Sequence, residues 1–325
     1  MKIQEVWDCY SDQLASVEER LFRDLESPVA QIPAVGRYLI GSGGKRLRPV
    51  LVILGAEMAG YAGNNIPVLG SIVETIHTAS LLHDDIVDDA TIRRGKPTAH
   101  SVWGNEIIVL VGDFMYSNAL RIAVSLKNQR VMDVLSEATT RMTEAELLQL
   151  SKIGDPTITE DDYLKIISGK TAALISAACR LGAILAGRPA EDEEAMAGFG
   201  TRLGAAFQIA DDLLDYKADA GKLGKSLGKD LEEGKLTLPV ILLLGQASEE
   251  EREEVRRIIV AESLEEADLA RMMELFAGYG TLNIALARAE AIMGEAKSMI
   301  VERFPESRAR RALLAIADYA LYRER

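Results

Sequence analysis

The chain has 325 residues, of which 48% are apolar and 5% aromatic, with a formal net charge of −13. That length is ample for a substantial core, and the excess of acid argues against general nucleic-acid binding. Two cysteines, Cys9 and Cys179, give no disulfide framework or paired metal-ligand spacing; the start has no apolar signal core, and no run reaches the ~18 apolar residues of a membrane span, so a cytoplasmic protein without a transmembrane segment is expected.

Abundant Ala, Leu, Ile and Glu with only nine prolines favours helices over sheets. Amphipathic segments follow one another, broken at Gly41-Ser42-Gly43-Gly44, at 60–65, at Arg94-Gly95-Lys96-Pro97, at Gly154-Asp155-Pro156 and at Gly187-Arg188-Pro189. The intervening lengths suit bundle helices. Thr159, followed by Glu160, Asp161 and Asp162, predicts an N-cap with an acidic first turn. The stretch 216–239 carries Lys217, Lys222, Lys225, Lys229 and Lys235 among four glycines and predicts a mobile loop. Glu249 to Glu254 reads as a solvated helix face. No alternating Val/Ile/Thr run predicts a strand system, and neither a linker nor an internal repeat is visible.

Two acid clusters close apolar, helix-like runs: Asp84-Asp85-Ile86-Val87-Asp88 and Asp211-Asp212-Leu213-Leu214-Asp215. On a helix the first and last acids of each share a face at i,i+4, where like charges destabilise by roughly 0.2–0.5 kcal/mol per pair. One such cluster alone reads as a solvated run or a cap. Two, each after an apolar run, call for positive charge, and carboxylates from two helices suit Mg2+, which favours hard oxygen ligands and bridges to phosphates. Asp84, Asp88 and Asp211 are expected to ligate directly, with Asp212 and Asp215 in direct or supporting roles.

Basic residues flanked by glycine accompany the acids. Gly43-Gly44-Lys45-Arg46-Leu47-Arg48-Pro49 lets backbone approach an anion beside three cations. It is not a nucleotide-binding P-loop, because Leu39 stands where that motif needs glycine. Arg93-Arg94-Gly95 follows the first acids, and Lys170-Thr171 follows Ser168-Gly169 in a helical context. There the glycine is expected to loosen the hydrogen-bond ladder. His77 lies two turns before Asp84 on nearly the same face. His77, His83 and His100 are too few for a histidine-ligated phosphohydrolase, and no nucleophile triad stands out.

In order and spacing these residues resemble the trans-prenyltransferases of the polyprenyl diphosphate synthase family, nearly end to end. The likeness rests on Gly43 to Pro49, His77, both acid clusters, Arg93-Arg94-Gly95, Lys170-Thr171, Phe207-Gln208, and Gly224-Lys225 through Lys235-Leu236-Thr237-Leu238-Pro239. It implies an all-α, isoprenoid-synthase-type bundle of long helices around a deep central cavity, one domain over 1–325, and a homodimer. It also implies three Mg2+ per site, held on an allylic diphosphate by Asp84, Asp85, Asp88, Asp211, Asp212 and Asp215. Arg93, Lys170, Lys225 and Lys235 would clamp that diphosphate, and Lys45, Arg48, His77 and Arg94 would hold isopentenyl diphosphate. Thr171 and Gln208 would offer dipoles to the developing cation. Such chemistry needs cations around a leaving group rather than a nucleophile, which the carbocation would alkylate.

Ala79 and Ser80 lie about one turn below Asp84, and both are small, as is Ala123. Aromatics here close the cavity in short-product relatives, so a tunnel and a long all-trans product of C35–C50 are expected, octaprenyl by overall resemblance, from a farnesyl diphosphate primer. Leu120, Met132 and Leu135 are candidate floor residues. Three alternatives remain at this point: a short-chain synthase, a non-catalytic partner subunit, whose kind usually loses acid residues, and a terpene cyclase, which usually lacks the second acid cluster and Gly-Gly-Lys-x-x-Arg.

Overall fold

A computed structural model describes residues 1–41, 43–93, 95–216, 228–261 and 263–322. Over these residues the chain is all-α, apart from one two-stranded hairpin. It divides into two compact units. The first comprises Met1–Thr139, Leu174–Ala197 and Arg303–Ala315; the second comprises Thr140–Ala173, Gly198–Glu302 and Ile316–Arg325.

In the first unit the Ile66–Val87 helix is the axis, with Ser11–Asp24, Leu47–Met58 and Asn105–Ser125 packed around it. It is buried without interruption from Leu69 to Ile76, which is why its sequence is apolar on all sides rather than along a stripe. Each Leu or Ile so buried contributes ~1.5–3 kcal/mol. Glu74 is the one acid within that buried stretch; the others enter in the last turn, and the helix stops with Asp88 as its C-cap. Asp89 then takes φ +48°, a left-handed conformation that aspartate tolerates better than most residues.

The chain next forms an antiparallel hairpin, Ile92–Arg93 against Lys96–Pro97, with Arg93 opposite Lys96. Gly95 at φ +74° supplies the turn. This strand pair departs from the all-helix expectation in detail, because two residues per strand carry no readable alternation. The Tyr38 hydroxyl fastens it by donating to the Pro97 carbonyl at 2.7 Å.

Among the described residues one helix, Asn105–Ser125, is long and apolar enough by length and composition to cross a membrane, where the sequence predicts no such run. It lies against Ile66–Val87 and buries Ile108, Val111, Met115, Ala119 and Ile122, as a core helix does. Val109, Leu110 and Val124 stay exposed at 40%, 67% and 59%.

The second unit begins its site-bearing helix as the sequence predicts. Thr159 accepts the Asp162 amide at 3.1 Å and Asp162 returns the bond, a capping box at the head of Glu160–Ile167. The helix then runs through a single π-helical turn, Ser168–Ala172, before resuming as Ala173–Leu185. Such turns interrupt α-helices mostly at functional positions, and this one places Lys170 and Thr171. Neighbouring helices grip it closely: a Cβ on Gly169 would meet the Arg141 carbonyl at 2.7 Å, and one on Gly204 would meet the Ala172 Cα at 2.4 Å.

The second acid cluster ends the Ala190–Asp215 helix, anchored by buried Phe199, Leu203, Ile209 and Leu213. Tyr216 meets Phe276 edge to face with centroids 5.0 Å apart. The predicted loop over 216–239 is only partly described. From Gly228 it gives way to a short helical turn, Lys229–Glu232, and then to the Leu238–Gln246 helix. The solvated acidic face expected around Glu250 is the exposed side of Glu249–Ile259, capped by Ser248.

Candidate active site

The first unit carries one half of the predicted machinery. Asp84 and Asp88 are half-buried near the end of Ile66–Val87, while Asp85 is 2% exposed and accepts from Arg93 Nε at 2.7 Å. A carboxylate this buried needs such a partner, and Arg93 is thereby fixed beside the cluster. Close by is a small cavity of about 50 Å3 lined by Gly43, Arg46, Glu74, His77, Asp85, Arg93 and Lys96 among others. Tyr116 belongs to the same neighbourhood. Its hydroxyl is pushed up to about 12, first by burial and then by the Asp84 charge, and its ring stacks on His83.

The three cations of the glycine-led motif separate by role. Arg46 adopts φ +49° and is used up structurally, bonding Glu18 at 3.0 Å, Glu74 at 3.2 Å and the Ile40 carbonyl at 2.9 Å. Lys45 is exposed. Arg48 has its Nε shut off from solvent with no hydrogen-bond partner, and burial pulls its guanidinium down to about 10 against the opposing charge of Glu74. A desolvated guanidinium with an unmet donor is a ready anion site. His77 is half-buried in the wall of the cavity, and its carbonyl accepts from Ser80 at 2.8 Å.

The second unit carries the other half, around a cavity of about 160 Å3 lined by Lys170, Thr171, Gln208, Asp212, Asp230 and Lys235 among others. A chain of hydrogen bonds runs through it. Thr171 Oγ1 donates to Gln208 Oε1 at 2.7 Å, Gln208 Nε2 donates to Asp212 at 2.8 Å, and the Tyr163 hydroxyl donates to the other Asp212 oxygen at 2.6 Å. Because Thr171 gives its proton to Gln208, its oxygen lone pairs are left for an electron-poor neighbour. Asp212 is pushed up to about 8, by burial first and by Asp230 second, with Tyr163 and Gln208 pulling the other way. Asp211 is exposed, and Asp215 is buried and accepts the Asp230 amide at 3.0 Å. Lys170 Nζ reaches Glu146 at 2.6 Å and Gln149 Oε1 at 2.8 Å, and Lys235 Nζ reaches Glu233 at 2.9 Å.

Ala79 and Ala123 are fully buried, and Ser80, half-buried, turns its hydroxyl back onto its own helix. Leu135 is buried, and Leu120 and Met132 are half-buried. Arg94 and Lys225 lie outside the described residues.

Each unit therefore gathers its own acids, cations and cavity. Lys170, Thr171, Gln208 and Asp212 are brought together as the sequence suggested, and so are Arg93 and Asp85. Tyr163, Glu146, Gln149, Asp230 and Tyr116 were not foreseen, since each matters through a partner distant in sequence. The donor set fits a divalent metal. All six acids are hard oxygen donors, Asp84, Asp88 and Asp211 keep solvent access, and Asp212 is over-buried for an ion without a counter-charge. Among the described residues no three Asp, Glu, His or Cys side chains form a ready cage. Mg2+ is usually held by one or two carboxylates completed by substrate phosphates.

Residues 29–276 match the polyprenyl synthetase family. The chain is 38% identical over 325 residues to the octaprenyl diphosphate synthase of Escherichia coli (strain K12), covering 100% of both. The crystal structure of a decaprenyl diphosphate synthase from Rhodobacter capsulatus superposes with a TM-score of 0.94 at 39% identity, covering 98% of each chain. That of a polyprenyl synthase from Caulobacter crescentus CB15, complexed with calcium and isoprenyl diphosphate, superposes with a TM-score of 0.92 at 38% identity, covering 99% of this chain and 98% of the other. With the acid clusters and their cations in place, these matches make the chain a member of the polyprenyl synthetase family, a polyprenyl diphosphate synthase that transfers prenyl groups.

Proposed function

We propose that this synthase condenses isopentenyl diphosphate onto farnesyl diphosphate and repeats the step to a long all-trans product of C35–C50, with octaprenyl diphosphate the length favoured by full-length similarity to the Escherichia coli enzyme. The observation that carries the reading is the half-buried chain Thr171–Gln208–Asp212 beside Lys170. It joins a cation-stabilising hydroxyl to an acid cluster within one cavity.

Mg2+, three ions per site, would sit on Asp84, Asp85, Asp88, Asp211, Asp212 and Asp215 and neutralise charge building on the departing diphosphate. Arg93, Lys170, Lys225 and Lys235 bind the same diphosphate. Lys45, Arg48, His77 and Arg94 take isopentenyl diphosphate, and the unmet Arg48 Nε supports that assignment most directly. Thr171 presents oxygen lone pairs to the allylic cation, Gln208 holds that hydroxyl in place, and apolar walls exclude water. The carbon–carbon double bond of isopentenyl diphosphate attacks the cation, and the released diphosphate accepts the final proton.

Ala79 and Ser80, small and one turn below Asp84, support a continuing tunnel. The two units act as one domain over 1–325, which the reach of the family match across both supports. A homodimer is part of the same reading. Val109, Leu110 and Val124 give it an apolar face on Asn105–Ser125.

A double-mutant cycle on Asp84→Asn and Asp211→Asn tests whether both clusters serve one step. Each single variant should lose roughly 10²–10³-fold in kcat, and the double variant little more, as groups acting as a unit do. Multiplicative losses would separate the clusters and refute the shared diphosphate.

A further inference from the structure

The described cations that would clamp the allylic diphosphate have one property in common that the reaction does not require. Each rests on a carboxylate of this chain: Arg93 on Asp85 at 2.7 Å, Lys170 on Glu146 at 2.6 Å, and Lys235 on Glu233 at 2.9 Å. A clamp assembled only for grip would leave its cations unopposed. A synthase that elongates in cycles must also let a diphosphate go after every addition, and the last one still carries the product.

Glu146 isolates this effect best. Asp85 belongs to the acid cluster, and Glu233 also pairs with Lys229 at 2.9 Å. Glu146 pairs with Lys170, one helical turn from Gln149, whose neutral Oε1 already accepts from the same ammonium at 2.8 Å. Gripped by Gly169 against the Arg141 carbonyl, the π-helical turn fixes where Lys170 starts, so aiming the ammonium needs no negative charge. The side chains of Lys170 and Glu146 are 26% and 18% exposed. Their charges therefore act at a dielectric well below that of water.

We infer that Glu146 is a built-in counterion that tempers the hold of Lys170 on a bound diphosphate and so sets how fast diphosphates leave. This rests on the proposed role of Lys170 in the allylic site. In the free chain Glu146 keeps the ammonium paired. With diphosphate bound it still cancels part of the attraction, and the departing anion is replaced at once by a standing partner.

Glu146→Gln tests it, because glutamine keeps the shape and an acceptor for Lys170 while removing the charge. Isothermal titration of the full-length protein with inorganic diphosphate in excess Mg2+ should give a Kd about tenfold lower for the variant than for wild type, a modest share of what a unit charge exerts at this range. Steady-state kcat should fall while the single-turnover condensation rate holds. Glu233→Gln should tighten diphosphate in the same direction and serves if the first variant does not fold. An unchanged or higher Kd in the folded variants overturns the tempering role alone. Wild type that fails to bind diphosphate with Mg2+ overturns it together with the proposed diphosphate site.

Discussion

Asp212→Asn should make the metal-free protein more stable and the enzyme nearly inactive. Asp212 is buried against Tyr163 and Gln208, with Asp230 and Asp211 adding unfavourable charge, and its carboxyl moves from an ordinary 3.8 to about 8. Between those values the folded chain retains a proton that the unfolded chain has released. Stability therefore falls as pH rises through the window. At about 1.4 kcal/mol per pH unit, the ceiling is about 6 kcal/mol. Relaxation and water entry leave about 2–4 kcal/mol of that measurable.

Asparagine removes the titration and keeps the partners, its oxygen accepting from one neighbour and its amide donating to the Tyr163 oxygen. Thermal unfolding with chelator present should give matching Tm values near pH 4. The gap should widen to roughly 5–10 °C in favour of the variant near pH 8. Adding Mg2+ with diphosphate should narrow the gap by stabilising wild type. A variant less stable than wild type at pH 8, or a gap that does not grow with pH, would refute the reasoning.

Ala79→Phe places a ring one turn below Asp84 and should cut the product to about 15–20 carbons, one turn of ~5.4 Å being close to one isoprene unit; an unchanged product ladder by chromatography would sink the tunnel assignment. Arg48→Met should raise KM for isopentenyl diphosphate by about tenfold or more with KM for the allylic substrate unmoved, and equal rises for both would contradict the division of the two sites. Gly204→Ala drives a methyl into the Ala172 backbone at 2.4 Å. It should lower stability by about 1–3 kcal/mol and disturb Lys170 through the π-helical turn; unfolding curves matching wild type would show that the turn is not gripped there.

Much of this was legible in the sequence because the chemistry writes short motifs. Two acid clusters at i,i+4 spacing, each after an apolar run, mark themselves as charge that calls for cations at the end of a core helix. Thr159 with Asp162 marked its own helix start. Ser168-Gly169 signalled a loosened ladder at Lys170, and the π-helical turn is that loosening. What stayed hidden depends on contacts remote in the chain. Tyr163 looks like an ordinary helical tyrosine until its hydroxyl is seen on Asp212, 49 residues away. Glu146 and Gln149 are two more polar residues of a long helix until Lys170 is placed between them. The roles of Lys45, Arg46 and Arg48 differ only through what each one touches. The Arg93–Lys96 hairpin is too short for any periodic signal.

The most direct test is to incubate the purified chain alone with isopentenyl diphosphate, farnesyl diphosphate and Mg2+ and to chromatograph the products. The expected result is Mg2+-dependent extension to a ladder ending within C35–C50. No extension by the chain alone, or a ladder stopping at about 15–20 carbons although Ala79 and Ser80 are small, would contradict it.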